Sequence, residues 1–413
     1  MAALSRNTRT ALLLAAIVIS GCEKSNTSVS SNTAVKATRD SAEQTVDASS
    51  FHSFLGLSAY TSLSHATQQA QQLDQRLSAF LHQPDATNLV RVQSAWRQAY
   101  DAYLNTLVYT YLPVKDPVEW RQKGIDYKTT VVLLDSWPIE GGYIDHVPGY
   151  PFSGIVNDLS LELNEKSLLA QHGFSDPSYA SLGYHPMEFM LWGANGDREA
   201  GDFVAKENTA PVLMPSEGNS GQQDDRSLDT TAPTLPKIQN HNRRRQYLQL
   251  LSDQLLEQLH RLQRRWQPSN GYYTELLNKT QPNQALLAAM MAGQSLLSKE
   301  LLDRRLGTNS SEFSNTGIDD IIAINNGLKT LMLGTAEQPT AIISLLNAEL
   351  QLHWQQQFAE LQQTLTLWQE QGLASAAVNQ QVRQQFIGLL SLLEKSAASL
   401  SLRLPRSEDL ARH

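Results

Sequence analysis

The chain has 413 residues, of which 41% are hydrophobic and 18% charged, and a formal net charge of -8. At roughly 100–200 residues per domain, this length predicts two or three domains with sizeable cores. The negative balance argues against a broad basic surface, so we expect no nucleic-acid partner. The single cysteine, Cys22, excludes an intrachain disulfide and a cysteine-based metal cluster.

The first residues have the pattern of an export signal. Arg6 and Arg9 give a positive start, and the apolar stretch 11–20 that follows is too short to span a membrane. The stretch leads into Ile-Ser-Gly-Cys, which resembles a bacterial lipobox. We therefore expect residues 1–21 to be a lipoprotein signal peptide and Cys22 to be the lipid attachment site. An ordinary secretory signal with an incidental cysteine is the alternative.

Residues 22–50 predict a flexible tether, because they are rich in Ser, Thr, Ala and Asn and poor in large apolar side chains. The lipid anchor makes the membrane a partner and predicts a place on the periplasmic face of the bacterial cell envelope. Among lipoproteins, an Asp directly after the cysteine commonly retains the protein in the inner membrane. Glu23 stands there instead, which favours the outer membrane.

An N-terminal helical bundle is predicted over residues 51–194. From Phe51 onward apolar residues recur at three- and four-residue steps, as on one face of a helix, until Pro84 breaks the pattern. A second helix is predicted over 86–112, where Pro113 ends it.

The following region, 115–184, is less regular and rich in Gly and Pro turn signals. Short helices are predicted there at 131–136 and 155–170. Long irregular stretches in compact domains are often functional, so we expect a site built from these loops.

A polar stretch without periodicity, 195–240, predicts a linker or insertion. A C-terminal helical bundle is predicted over 241–404. Its predicted helices are Arg243–Trp266, Pro282–Leu306, Ile318–Leu333, Pro339–Glu370 and Ala374–Leu402. Strand signals are scarce, so the expected fold is all-α, in two helical-bundle halves.

The segment Gly183–Gly193 carries an imidazole and a carboxylate three residues apart, His185 and Glu188. On a helix these two side chains share a face and can point at one metal ion. A structural interpretation competes with this one. Pro186 suits the first position of a helix, which would make His185 the N-cap and Glu188 the residue that hydrogen-bonds back to it.

Three stretches together resemble the imelysin family, whose members are often called insulin-cleaving peptidases or iron-regulated proteins. They are Asp135–Ile139, Gly183–Gly193 with its Gly-x-His-x-x-Glu pattern, and Phe313–Ile321. The resemblance spans roughly residues 55 to 400. It implies an all-α fold of two bundle-like halves with a cleft between them, an envelope location, and a link to metal or iron handling.

The hypothesis for the site is a divalent or ferric ion, iron or zinc, held by His185, Glu188 and Asp135, since such ions take several N and O ligands. Four further loop residues are candidate metal ligands: Glu140, Asp145, His146 and His172. The cleft is expected to be lined by Trp137, Tyr184, Asn315 and Thr316, although the last two could instead cap the next helix.

Two positions depart from the family pattern. Leu107 stands where relatives often have a Glu, and Gly317 where they tend to have a His. Three functions follow as alternatives. The first is an envelope lipoprotein that binds metal and acts in metal uptake, with a possible envelope transport partner. The second is a metal-dependent peptidase with Glu188 as base. The third is a partner-binding structural lipoprotein with a degenerate site.

Overall fold

The computed structural model describes residues 48–112, 115–206, 240–338 and 340–405. The expected signal peptide, Cys22, nearly all of the expected tether, and residues 207–239 of the expected linker lie outside these ranges.

The N-terminal part is helical from the first described residue. Its helices are α1 (Ala48–His82), α2 (Ala86–Leu104), α3 (Leu107–Thr110), α4 (Val118–Gln122), α5 (Tyr127–Leu134), α6 (Gly141–Ile144), α7 (Glu165–Gln171) and α8 (Tyr184–Trp192). Helix α2 begins where predicted, because Asp85 accepts a hydrogen bond from the Asn88 amide at 2.8 Å and so caps the new helix.

Three predicted helices in this part differ from the structure. The helix predicted over 131–136 is Tyr127–Leu134 and begins four residues earlier, because Asp126 caps it by accepting from the Thr129 amide at 3.1 Å. The helix predicted over 86–112 is divided, since α12 (Gly317–Leu333) crosses it at the break: a Cβ on Gly327 would lie 2.3 Å from the Asn105 carbonyl oxygen. The helix predicted over 155–170 forms only from Glu165. There Asn164 caps it by accepting from the Ser167 amide at 2.8 Å, and the preceding residues make turns.

The C-terminal part is helical as well. Its helices are α9 (His241–Arg265), α10 (Tyr272–Asn278), α11 (Pro282–Ser295), α12, α13 (Ala348–Gln371) and α14 (Ala376–Ser399). A π-helical segment, Leu296–Arg305, continues α11, and short 3-10 turns occur at Ala200–Phe203 and Ile342–Leu345. The helix predicted from Pro339 starts later, at Ala348, because Asn347 caps it.

The core is formed by long helices that pack side by side. Helix α1 contacts α2, α9 and α11, and it buries an apolar stripe that includes Leu63 and Leu77. Helices α13 and α14 run antiparallel, since Trp354 near the start of one donates to Ser396 near the end of the other at 2.9 Å. Within the described ranges there is no strand, which confirms the all-α class.

The described residues belong to one compact unit. The boundaries at 51–194 and 241–404, and the cleft between two halves, stay predictions. Among the described helices, none combines the length and apolar character that crossing a bilayer requires.

Candidate functional site

Helix α8 carries the predicted site and is held in place by the glycine before it. Gly183 has φ +111°, and a Cβ on it would lie 2.7 Å from the Leu134 carbonyl oxygen. Glycine therefore lets the start of α8 lie against the end of α5, where Asp135 follows. Every residue of α8 is buried.

His185 lies between two carboxylates. Its Nδ1 is 2.8 Å from Glu188 Oε2, and its Nε2 is 3.2 Å from Asp135 Oδ1 and 2.9 Å from the Tyr100 hydroxyl. The side chain is 1% exposed. The structure thus brings together the three residues that the metal hypothesis grouped.

Arg305 closes the other side of this arrangement. Its guanidinium donates to Asp135 at 2.9 Å, to Glu300 at 2.7 Å and to the Tyr100 hydroxyl at 3.1 Å. Glu300 and Arg305 are five residues apart, a spacing that the wider π-helical turn brings onto one face. We call these six residues the His185 network: Tyr100, Asp135, His185, Glu188, Glu300 and Arg305.

Glu188 does not play the capping role that the structural interpretation gave it. The N-cap of α8 is Gly183, and Pro186 is the third helical residue. The Oε1 atom of Glu188 instead accepts hydrogen bonds from the amide of Ser314 at 2.8 Å and from its hydroxyl at 2.7 Å. Glu188 therefore ties α8 to the loop that precedes α12.

The network fixes the protonation of its members. Burial alone would raise the pKa of Asp135, but Arg305 and the hydrogen bond from His185 outweigh it and hold the pKa well below its usual range. Burial alone would lower the pKa of His185, but the hydrogen bonds to Asp135 and Glu188 outweigh it and raise the pKa to about 9. At neutral pH His185 is therefore an imidazolium that donates from both ring nitrogens.

Two further carboxylic acids lie near the network and titrate high. Burial raises the pKa of Asp320, whose Oδ2 is 3.8 Å from Arg305, to about 6. Burial, followed by the charges of Asp320 and Asp319, raises the pKa of Asp101 to about 7. The surroundings of Arg305 and His185 hold more acidic groups than these two cations balance.

The arrangement does not fit a metal ion. The two ring nitrogens of His185 point at different carboxylates instead of a shared position, and each already has a partner at hydrogen-bond distance. The guanidinium of Arg305 already supplies the cation that Asp135 faces. Across the ranges that the structure describes, no three His, Cys, Asp or Glu side chains are placed to hold an ion.

The four additional candidates for metal ligation have other partners. Asp145 and His146 pair with Arg244, Glu140 accepts from the Gly142 amide at 3.2 Å, and His172 accepts from the Leu182 amide at 3.2 Å. The contacts of Glu140 and His172 stay within the 136–182 region, whereas those of Asp145 and His146 join their turn to α9.

The residues expected to line a cleft have different environments. Tyr184 is fully buried. Trp137 is half-buried, and the guanidinium carbons of Arg304 and Arg305 lie 5.5 and 5.7 Å from the centre of its ring. Asn315 is exposed with φ +57°. Thr316 is the N-cap of α12, although neither side chain makes a capping hydrogen bond.

Sequence reasoning missed four members or partners of the network: Tyr100, Glu300, Arg305 and Ser314. Tyr100 lies on the buried face of α2 among apolar side chains, where a phenol is inconspicuous in the sequence. Ser314 stood within the Phe313–Ile321 stretch that carried the family resemblance, so that stretch was the available signal. No pattern in the sequence marks Glu300 and Arg305, since their pairing depends on π-helical winding.

Fold and site together define an all-α protein with a Gly-x-His-x-x-Glu helix in its interior. The chain belongs to the imelysin family, whose model matches residues 57–400. No curated protein matches the sequence.

Solved structures share the fold, and they include the following two. One is a protein described as an iron-regulated protein A precursor from Parabacteroides distasonis, with 15% identity and a TM-score of 0.58, covering 87% of this chain and 97% of that one. The other is an imelysin-like protein from Psychrobacter arcticum, with 14% identity and a TM-score of 0.55, covering 87% and 96%. At these identities the likeness concerns the fold.

Proposed function

We propose that this chain is a lipid-anchored binding protein of the bacterial envelope that acts in iron acquisition, and that its His185 network supports the fold from within. The structural role of the Gly-x-His-x-x-Glu motif rests on one observation. Both ring nitrogens of His185 face buried partners. A site already filled by an imidazolium and a guanidinium needs no added cation to balance its carboxylates.

The same geometry argues against the peptidase alternative. A metallopeptidase needs a carboxylate that can take a proton from a metal-bound water. Glu188 is 0% exposed; its Oε2 faces His185 and its Oε1 faces Ser314. Neither oxygen is free to act as a base.

The iron link is supported by family membership and by the description of the Parabacteroides distasonis protein as iron-regulated. The envelope location and the anchor are supported by the signal-like N-terminus and Cys22. In this proposal the lipid holds the body at the membrane, and the body binds an envelope partner of the uptake machinery.

A growth experiment tests the biological part. A strain lacking this gene is grown in chelator-limited iron and complemented with the wild type, Cys22→Ser or Glu188→Gln. We expect the wild type to restore growth and Cys22→Ser to restore it poorly. Equal growth of the deletion strain and its parent in limiting iron would remove the acquisition role.

A biochemical experiment tests the assignment of the motif. Purified protein is titrated calorimetrically with ferric iron and with zinc, and it is incubated with casein and insulin. We expect no heat that depends on His185 and no cleavage. Cleavage that disappears with chelator and with Glu188→Gln would establish the peptidase instead.

A further inference from the structure

A second buried charge cluster lies near the C-terminal end of α8. It consists of Asp145, Arg198 and Arg244, and we call it the Asp145 cluster. A cavity of about 280 Å³ opens beside it. The cavity is lined by the turn that follows Asp145, with His146 and Gly149, and by the loop that follows α8, with Asp197 and Arg198.

The charges of this cluster do not balance. Arg244 donates to Asp145 at 2.6 and 3.1 Å, and Arg198 Nη2 lies 3.1 Å from the same carboxylate. One carboxylate thus faces two guanidinium groups, and all three side chains are at most 3% exposed. Burial lowers the pKa of Arg198 from its ordinary value by more than Asp145 raises it. The other acidic groups near Arg198 are Asp202, 4.0 Å from its Nη1 and partly exposed, and the exposed Asp197, so within the buried cluster itself one carboxylate faces two positive charges.

Arg198 also has an unused donor. Its Nε is buried and has no hydrogen-bond partner among the described residues. Its Nη1 reaches Asp202 only at 4.0 Å. Buried polar groups in folded proteins are nearly always hydrogen-bonded, so a buried guanidinium N–H at a cavity wall is a position for an acceptor from outside the chain.

The rim of the cavity carries the opposite charge and remains open. Asp197 is exposed there, and the His146 imidazole is 41% exposed. Gly149, with φ +84°, has no atom of the described residues within 4 Å of where a Cβ would lie, so none of them covers that side of the turn. A cationic wall and an anionic rim complement a small molecule that carries both charges.

From this geometry we infer that the cavity binds a small zwitterion of the α-amino-acid type, with its carboxylate at Arg198 and its ammonium group toward Asp197. A carboxylate supplies the acceptor that Arg198 Nε lacks and the negative charge that the cluster lacks. The inference concerns a different site from the His185 network and stands independently of the role in iron acquisition.

Three related probes test this inference by saturation-transfer NMR on the purified body: L-alanine, propionate, which lacks the ammonium group, and ethylamine, which lacks the carboxylate. We expect L-alanine to bind most tightly. Propionate should bind up to about fivefold more weakly, the range of an exposed ion pair. Ethylamine should show no saturation transfer.

Two variants assign the contacts. Arg198→Gln should weaken L-alanine binding by at least about tenfold, because a charge-assisted hydrogen bond is lost. Asp197→Asn should make L-alanine bind no better than propionate. The controls are Arg261→Gln and Asp176→Asn, which change an arginine and an exposed aspartate away from the cavity and should bind like the wild type.

Asp197 is exposed, so its variant keeps the fold and decides the question even if Arg198→Gln unfolds, as circular dichroism would report. Absence of saturation transfer to L-alanine and propionate in the wild type overturns the inference. So does equal binding of these two probes, or L-alanine binding that Asp197→Asn leaves unchanged.

Discussion

The His185 network and the Asp145 cluster flank the same helix, and they differ in charge balance and in access. The first surrounds two cations with a larger number of acidic groups and is sealed by Arg305 and Ser314. The second opposes two guanidinium groups with one buried carboxylate and borders a cavity. The recognisable motif therefore marks the closed cluster, while the open one carries no motif. A fixed pattern of residue types can reflect the needs of a buried interior as well as those of a ligand.

Substituting Arg305 tests the difference between the two clusters most directly. Arg305→Met should lower the free energy of unfolding by about 3–5 kcal/mol, because it leaves Asp135 and Glu300 buried without their cation. Arg198→Met removes an equally buried guanidinium from the Asp145 cluster, where Arg244 still faces Asp145. That variant should cost about 1–3 kcal/mol. Urea unfolding at pH 7 measures both.

Arg304 supplies the control for this pair. It neighbours Arg305 but is 36% exposed, so Arg304→Met should change stability by less than about 1 kcal/mol. If Arg305→Met and Arg198→Met cost the same, the proposed difference in charge balance between the clusters is wrong.

The protonation of His185 gives the next largest effect. Its pKa is raised from 6.5 to about 9 in the folded protein, so the folded state binds the additional proton between these values. The stabilisation is complete below pH 6.5 and is lost as the pH rises through 9. It amounts to about 3 kcal/mol, with Asp135, Glu188 and Tyr100 as the facing groups.

Urea unfolding at intervals from pH 6 to pH 10 measures this loss, and His185→Gln is the comparison variant. The variant should be less stable than the wild type at pH 6.5 and should lack the decline toward pH 9. Parallel curves for the two proteins would mean that His185 is not the group that titrates.

Periodicity predicted the long helices because each buries one continuous apolar face. It failed where a distant element decides the local structure. The break between α2 and α3 lies where Gly327 of α12 packs against Asn105, more than two hundred residues away in sequence. No window along the chain contains that contact.

The site was likewise predictable only where neighbouring residues along the chain determine it. The spacing of His185 and Glu188 located the helix, and the resemblance added Asp135. The charge state of His185 depends on Asp135 and Glu188, and Asp135 is in turn governed by Arg305 from a π-helical segment. A spacing rule could therefore find the imidazole and the acid but not tell a metal ligand from an imidazolium.

A double-mutant cycle sharpens the contrast between closed and exposed pairs. His185→Ala and Glu188→Ala, singly and together, should give a coupling energy of about 1–3 kcal/mol, because the pair is buried at 2.8 Å. Glu257 and Arg261 are a control at 3.3 Å with 45% and 20% exposure. Their coupling should be below about 1 kcal/mol. Equal couplings would show that burial does not strengthen the His185 pair.

The smallest expected effect tests whether Asp101 is buried without a cation that balances its charge. Because the pKa of Asp101 is raised to about 7, mainly by burial, the folded state binds an additional proton between about pH 4 and 7. Stability therefore falls as the pH rises through this window, and above pH 7 the buried charge costs its full amount. Asp101→Asn removes that charge and should stabilise the protein by about 1 kcal/mol at pH 8, well below the full value of the pKa shift because Asp101 stays partly exposed to water, with little gain at pH 4.

Thermal unfolding at these two pH values measures the gain, and the exposed Asp303→Asn should show none at either. A gain of equal size at both pH values would point to an effect of shape or hydrogen bonding. A loss at pH 8 would mean that a cation balances Asp101. Stabilisation confined to high pH would instead show that Asp101 carries a buried negative charge that no cation balances, the reverse of the cation-rich Asp145 cluster.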